Sequence, residues 1–140
     1  MINQKIQTMK NTLFISFLIL LFFASGLSAQ NERQYIRKGY NAYQDQEYRD
    51  AEVAFQKALN VDSASFEAAY NLACTYYQSE KYEQAQNTFA RLTDAESKAE
   101  LKADVYYNKA NSRVKQAVKA ITEKNKQAAV EFLKEAEEDY

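Results

Sequence analysis

The sequence predicts an all-α chain built from repeated helical hairpins, on three observations. Its 140 residues include no Pro and only two Gly. They are rich in Ala, Glu, Lys and Gln, so helix breakers are scarce and helix formers abundant. Apolar residues recur at helical spacing in successive stretches. Finally, the chain repeats itself at an offset of 34 residues: Tyr43 returns as Tyr77, Gln44 as Gln78, Tyr48 as Tyr82, Ala51 as Ala85 and Phe55 as Phe89. A fixed period of this size marks a solenoid of stacked units.

The first 29 residues are of a different kind. Lys5 and Lys10 precede the apolar run LFISFLILLFFA, Leu13 to Ala24, and the small residues SGLSA follow. That order is the basic, apolar and cleavage region of a secretory signal peptide, with the cut expected after Ala29. Met9 serves equally well as the start. The run is about 12 residues, short of the roughly 20 that span a bilayer, and an uncleaved anchor is the alternative. No Cys stands at the cleavage point, which disfavours a lipoprotein. The expected location is the periplasm or cell envelope of a bacterium. Residues 30–140 form the repeat domain, divided at about 32–65, 66–99 and 103–140.

The period splits into two helices. From Glu32 to about Asp45, Tyr35, Ile36, Gly39, Ala42 and Tyr43 make a helical stripe. The polar turn DQE follows, and from Tyr48 to Val61 the stripe is Ala51, Phe55, Ala58 and Leu59. Two such helices joined by three residues form an antiparallel hairpin. Small residues at Gly39 and Ala51, then Ala73 and Ala85, let the backbones approach. Phe55 and Phe89 fill space toward the next hairpin, with Ala58 and Leu92 completing the seam. Ser63 or Ser65 can cap the following helix.

A third copy begins after a slip. VYYNKANS, Val105 to Ser112, parallels AAYNLACT, Ala68 to Thr75, at an offset of 37. Thr93 with Glu96 has the form of a capping box. The partner helix reads as Ala129, Leu133 and Ala136, with Ala128 and Phe132 as an alternative register. The first choice leaves seven surplus residues, AVKAITE, at the end of the first helix. Seven residues are two turns and rotate the packing face by only about 20°. The chain stops inside a helix, without the polar capping helix that ends most arrays. Either Phe132 and Leu133 pack on a partner, or the chain is truncated, which is the favoured expectation.

These residues resemble the tetratricopeptide repeat (TPR). That pattern wants a large residue at position 4, Gly or Ala at 8, Ala at 20, an aromatic at 24 and Ala at 27. The first copy supplies Tyr35, Gly39, Ala51, Phe55 and Ala58, and the second Ala69, Ala73, Ala85, Phe89 and Leu92. The usual Pro at position 32 is Ser63. The leader and the long third hairpin are further similar to exported proteins of the Bacteroides-type aerotolerance (Bat) group. Those resemble parts of an envelope complex with von Willebrand A-domain membrane proteins.

The resemblance implies protein binding on the concave side, lined by the first helix of each repeat. Carried onto this chain, the groove is Arg33, Ile36, Tyr40, Tyr43 and Gln44, then Glu67, Tyr70, Asn71, Cys74, Tyr77 and Gln78, then Asp104, Tyr107, Asn108, Asn111, Val114 and Lys115. A band of Tyr with Gln and Asn between suits an extended peptide or a partner's helix. The opposing reading is that some of these Tyr only pack between helices. The carboxylate clamp of chaperone-binding repeats is rejected. It would need Lys and Asn where this chain has Ile36 and Tyr40, Asn at Asn71, and Lys and Arg where it has Asp104 and Asn108, and only Asn71 fits.

Composition removes other classes. There is no His, no Gly-rich phosphate loop, no zinc spacing and no nucleophile elbow, so no enzyme, metal or cofactor is expected. Glu137 and Glu138 read as a solvated helix surface. The net charge is −1 and no basic face stands out, so nucleic acid is not an expected partner. The single Cys74 reads as a small packed residue. Self-association through the last hairpin, and carriage of a glycan or peptide in the Tyr groove, are the rival functions.

Overall fold

The computed structural model describes residues 2–93 and 99–140. Among them run six α-helices: α1 Ile2–Gln44, α2 Tyr48–Val61, α3 Phe66–Gln78, α4 Tyr82–Thr93, α5 Ala99–Thr122 and α6 Lys126–Asp139. They pair as three antiparallel hairpins, and each hairpin packs on the next. The fold is the all-α solenoid of helical hairpins that the period predicts.

The three hairpins close in one way. The chain turns back with a left-handed residue at Gln46, Glu80 and Lys124, each with φ near 61–62°. One residue later, Glu47, Lys81 and Asn125 donate their amides to the carbonyls of Ala42, Tyr76 and Ala120 at 2.8–2.9 Å. The turn residues Gln46, Glu80 and Lys124 donate to Tyr43, Tyr77 and Ile121 at 3.0–3.1 Å. This is the paired closure that satisfies the last carbonyls of a helix. The third turn has it too, so the elongated hairpin is a repeat of the same design.

Small residues set the helix spacing. Ala51, Ala58, Ala68, Ala73, Ala85, Ala110 and Ala117 are all fully buried. Phe55 and Phe89, each 1% exposed, fill the space between hairpins. Gly39 is required by close approach, since a Cβ there would stand 2.7–2.8 Å from the Phe55 ring. Buried Thr75, Thr88 and Ser112 donate their hydroxyls back to the carbonyls four residues earlier, so no hydroxyl is stranded in the core. Ser65, rather than Ser63, is the N-cap of α3. Its Oγ accepts from the Ala68 amide and donates to Glu32 at 2.6 Å.

Some boundaries differ from expectation. The first helix does not start near Glu32, because α1 is continuous from Ile2 and crosses position 29 without a break. Thr93 is not an N-cap: it ends α4, and its hydroxyl donates to the Ala90 carbonyl at 2.7 Å. Glu96, the other half of the expected capping box, lies outside the described residues. The third hairpin adopts the Ala129 register, with Ala129 and Ala136 at 3% and 2% exposure. Leu133 nevertheless stands 46% exposed, whereas Phe55 and Phe89 at the equivalent places are 1% exposed. Phe132 is half-buried beside the turn between α3 and α4, in a cleft of about 620 Å³ that Gln116 and Lys119 also line.

Candidate functional site

The first helices of the hairpins, α1, α3 and α5, touch one another along one side of the array. The predicted groove residues sort there into three groups. Ile36 is 8% exposed and belongs to the core with Leu72 and Phe89. Its side chain supports the groove from beneath.

A second group is half-buried and holds the helices together. Tyr43 meets Tyr48 edge-on at 5.7 Å, and Tyr77 meets Tyr82 at 5.6 Å, one period apart. Each pair spans its own hairpin turn. Burial raises the pKa of Tyr43, and the Gln78 side chain of α3 opposes that rise only in part. Tyr70 lies edge-on to Phe89 at 5.8 Å, and Asn108 Nδ2 donates to its hydroxyl at 2.9 Å. Burial pushes Tyr70 up to about 12, with the nearby Cys74 and Asp104 adding to it. The Cys74 thiol is pushed up to about 11 by burial. The Asn108–Tyr70 bond thus ties α5 to α3. Asn71 stays within its helix, its amide donating to the Glu67 carbonyl at 2.9 Å.

The third group faces water. Tyr40 is 53% exposed and Tyr107 59%. Arg33, Gln44 and Gln78 are exposed too, and so are Glu67, Asp104 and Lys115, whereas Val114 is partly covered. Burial raises the pKa of Tyr77, with Tyr107 the next contributor, which places those two phenols near each other across α3 and α5.

Sequence reasoning missed the end of α6. The Tyr140 ring lies edge-on to Tyr107 at 5.9 Å, and its hydroxyl donates to Asn111 at 2.7 Å. Asp139 pairs with Lys109 at 2.8 Å and with Arg113, and Arg113 also pairs with Glu135 at 3.1 Å. Tyr107 and Tyr70 hold equivalent places. Tyr70 is capped by Asn108 of the next hairpin, and Tyr107 by Tyr140 instead. No position of the 34-residue period signals this contact, since Tyr140 has no counterpart in the first two copies. Among the described residues, no group of three or more His, Cys, Asp or Glu is placed to hold a metal ion.

This arrangement defines a class: a hairpin-repeat protein with a phenol-rich strip across successive first helices. The family model described as Tetratricopeptide repeat matches residues 42–104, from the end of α1 into α5. The match supports the tetratricopeptide repeat assignment on which the geometry and the 34-residue period agree. Repeats of this family serve protein–protein interaction, and a protein partner is the binding class that follows. No curated protein matches the chain.

Proposed function

We propose that this protein is a non-catalytic, exported scaffold that holds another protein or peptide against Tyr40 and Tyr107. The observation that carries this reading is the division of labour among the tyrosines. Tyr43, Tyr70 and Tyr77 are committed to packing and hydrogen bonding. Tyr40 and Tyr107 stay more than half exposed on the same side of the array. A phenol presents rigid apolar area and one hydroxyl, and it loses little side-chain entropy on contact. Gln44, Gln78 and Asn111 between them supply amides to an extended backbone.

The leader supports export to the periplasm or envelope, with cleavage after Ala29. Among the described residues, no helix is long and apolar enough to cross a membrane. The similarity of the leader and the long third hairpin to the aerotolerance group supports a specific setting, an envelope complex with a membrane-anchored partner. Affinity purification from the envelope fraction tests both parts. Tyr40→Ala with Tyr107→Ala should abolish capture of a membrane-anchored partner while circular dichroism stays helical. Undiminished capture by that variant refutes the groove. A full-length N-terminus on the mature protein refutes cleavage.

A further inference from the structure

The two ends of the solenoid are complementary, and the interface already present inside the chain shows how they meet. At the first internal junction, α2 lies over the groove between α3 and α4. Leu59 shares a cleft there with Ala69, Thr88 and Arg91. Gln56 donates to Tyr76 at 3.2 Å, and Glu52 pairs with Lys81 at 2.6 Å. Phe55 is sealed at 1% exposure in the process.

One period earlier, the residues equivalent to Ala69, Leu72, Tyr76, Thr88 and Arg91 are Tyr35, Lys38, Ala42, Ala54 and Lys57. All five line an open groove of about 270 Å³ between α1 and α2, together with Asp50 and Val53. It is the same groove without its occupant. At the other end, the residues equivalent to Glu52, Phe55, Gln56 and Leu59 are Val130, Leu133, Lys134 and Glu137. Val130 is 67% exposed and Leu133 46%, and Lys134 and Glu137 face solvent. It is the same ridge without its groove.

We propose that a second copy of this chain supplies the missing half, so that α6 of one copy lies in the α1–α2 groove of the next. Charge selects the occupant. Leu59 shares its cleft with Arg91 inside the chain, and the equivalent pair across the new contact is Glu137 with Lys57, in a groove that Lys38 makes more basic. Lys134 would lie at Ala42 as Gln56 lies at Tyr76, and the exposed Val130, Leu133 and Val53 would be withdrawn from water. The contact is heterologous: each copy keeps one free groove and one free ridge, so assembly continues head to tail. It is separate from the tyrosine groove and stands or falls without it.

Two variants of the full chain, in mild detergent, test this by sedimentation equilibrium. Lys38→Glu with Lys57→Glu blocks the groove, and Leu133→Glu blocks the ridge. All three positions concerned are surface sites, and far-UV circular dichroism checks that helicity is retained. The wild-type chain should form species beyond the dimer as concentration rises. Each variant alone should be a single copy, and a one-to-one mixture should form a complex of one copy of each. Glu137→Lys in the groove-blocked chain should recover association. A wild-type chain that stays single at about 100 μM overturns the proposal. So does a groove-blocked variant that still dimerises alone, which would mean ridge against ridge.

Discussion

Gly39→Ala is the sharpest test of the packing argument, because two effects oppose each other there. Within a helix, Ala is favoured over Gly by about 1 kcal/mol. At this site, however, the new Cβ would stand 2.7 Å from Cε1, 2.8 Å from Cδ1 and 2.8 Å from Cζ of Phe55. An ordinary carbon contact lies at roughly 3.5–4.0 Å, so the overlap is about 0.7 Å or more, against one edge of a rigid ring. Phe55 is 1% exposed and has no free volume to retreat into. Overpacking of this kind costs about 1–3 kcal/mol. The balance is a net loss of up to about 2 kcal/mol. Urea denaturation followed by circular dichroism measures it. A double-mutant cycle with Phe55→Leu isolates the clash, since the shortened side chain should recover at least about 1 kcal/mol of the interaction. If Gly39→Ala stabilises the protein by the full helix-propensity gain, with no coupling to position 55, the close-approach account is wrong.

The turn geometry makes a second prediction. Gln46, Glu80 and Lys124 sit in the left-handed region, where a side chain costs about 1–2 kcal/mol. Replacing any one by Gly should raise stability by about 0.5–1 kcal/mol, seen as a higher urea midpoint. Ser65→Ala removes both the cap of α3 and the bond to Glu32, and should cost about 1 kcal/mol in the same assay. Burial raises the pKa of Tyr70 from 10.0 to about 12 and that of Cys74 from 9.0 to about 11. The folded state therefore favours the neutral forms. Stability is whole below the unfolded values and falls as pH rises from about 9 toward 12. Tyr70→Phe should flatten the upper part of that decline in alkaline titrations. The same shift leaves Cys74 with about a hundredfold less thiolate than a free thiol at pH 8, so its alkylation by iodoacetamide should be slower by at least that factor.

What could be read ahead of the structure followed from periodicity. The hairpins, their turns and the seam of small residues repeat, and repetition is visible in a sequence. The register of α6 was open between Ala129 and Ala128 until burial decided it. It was ambiguous because Leu133 and Phe132 are both apolar, and neither is sealed by a neighbour. The groove was less legible. A period assigns Ile36 and Tyr40 to one surface, but it does not say how deep a side chain sits. Four residues at about 100° each set Tyr40 only about 40° round the helix from Ile36, and that small offset separates a residue 8% exposed from one 53% exposed. Nor could a repeat pattern reveal Tyr140 on Tyr107, or Asp139 between Lys109 and Arg113. Those contacts arise only because the third hairpin is unlike the other two.

The longer α5 also says how this architecture tolerates change in length. The equivalent turn residues lie 34 apart in the first two hairpins and 44 apart, Glu80 to Lys124, in the last. Of the ten added residues, three lengthen the approach to α5 and seven extend its far end. An insert of seven returns the helix to about 20° from where it was, while an insert of five would turn it by about 140°. The overhang therefore behaves like a sleeve that slides along its axis without rotating. Natural variation in hairpin length should come in steps of seven residues, and removal of residues 117–123 should slide α6 along α5 with its face unturned, carrying Asp139 away from Lys109 and Arg113.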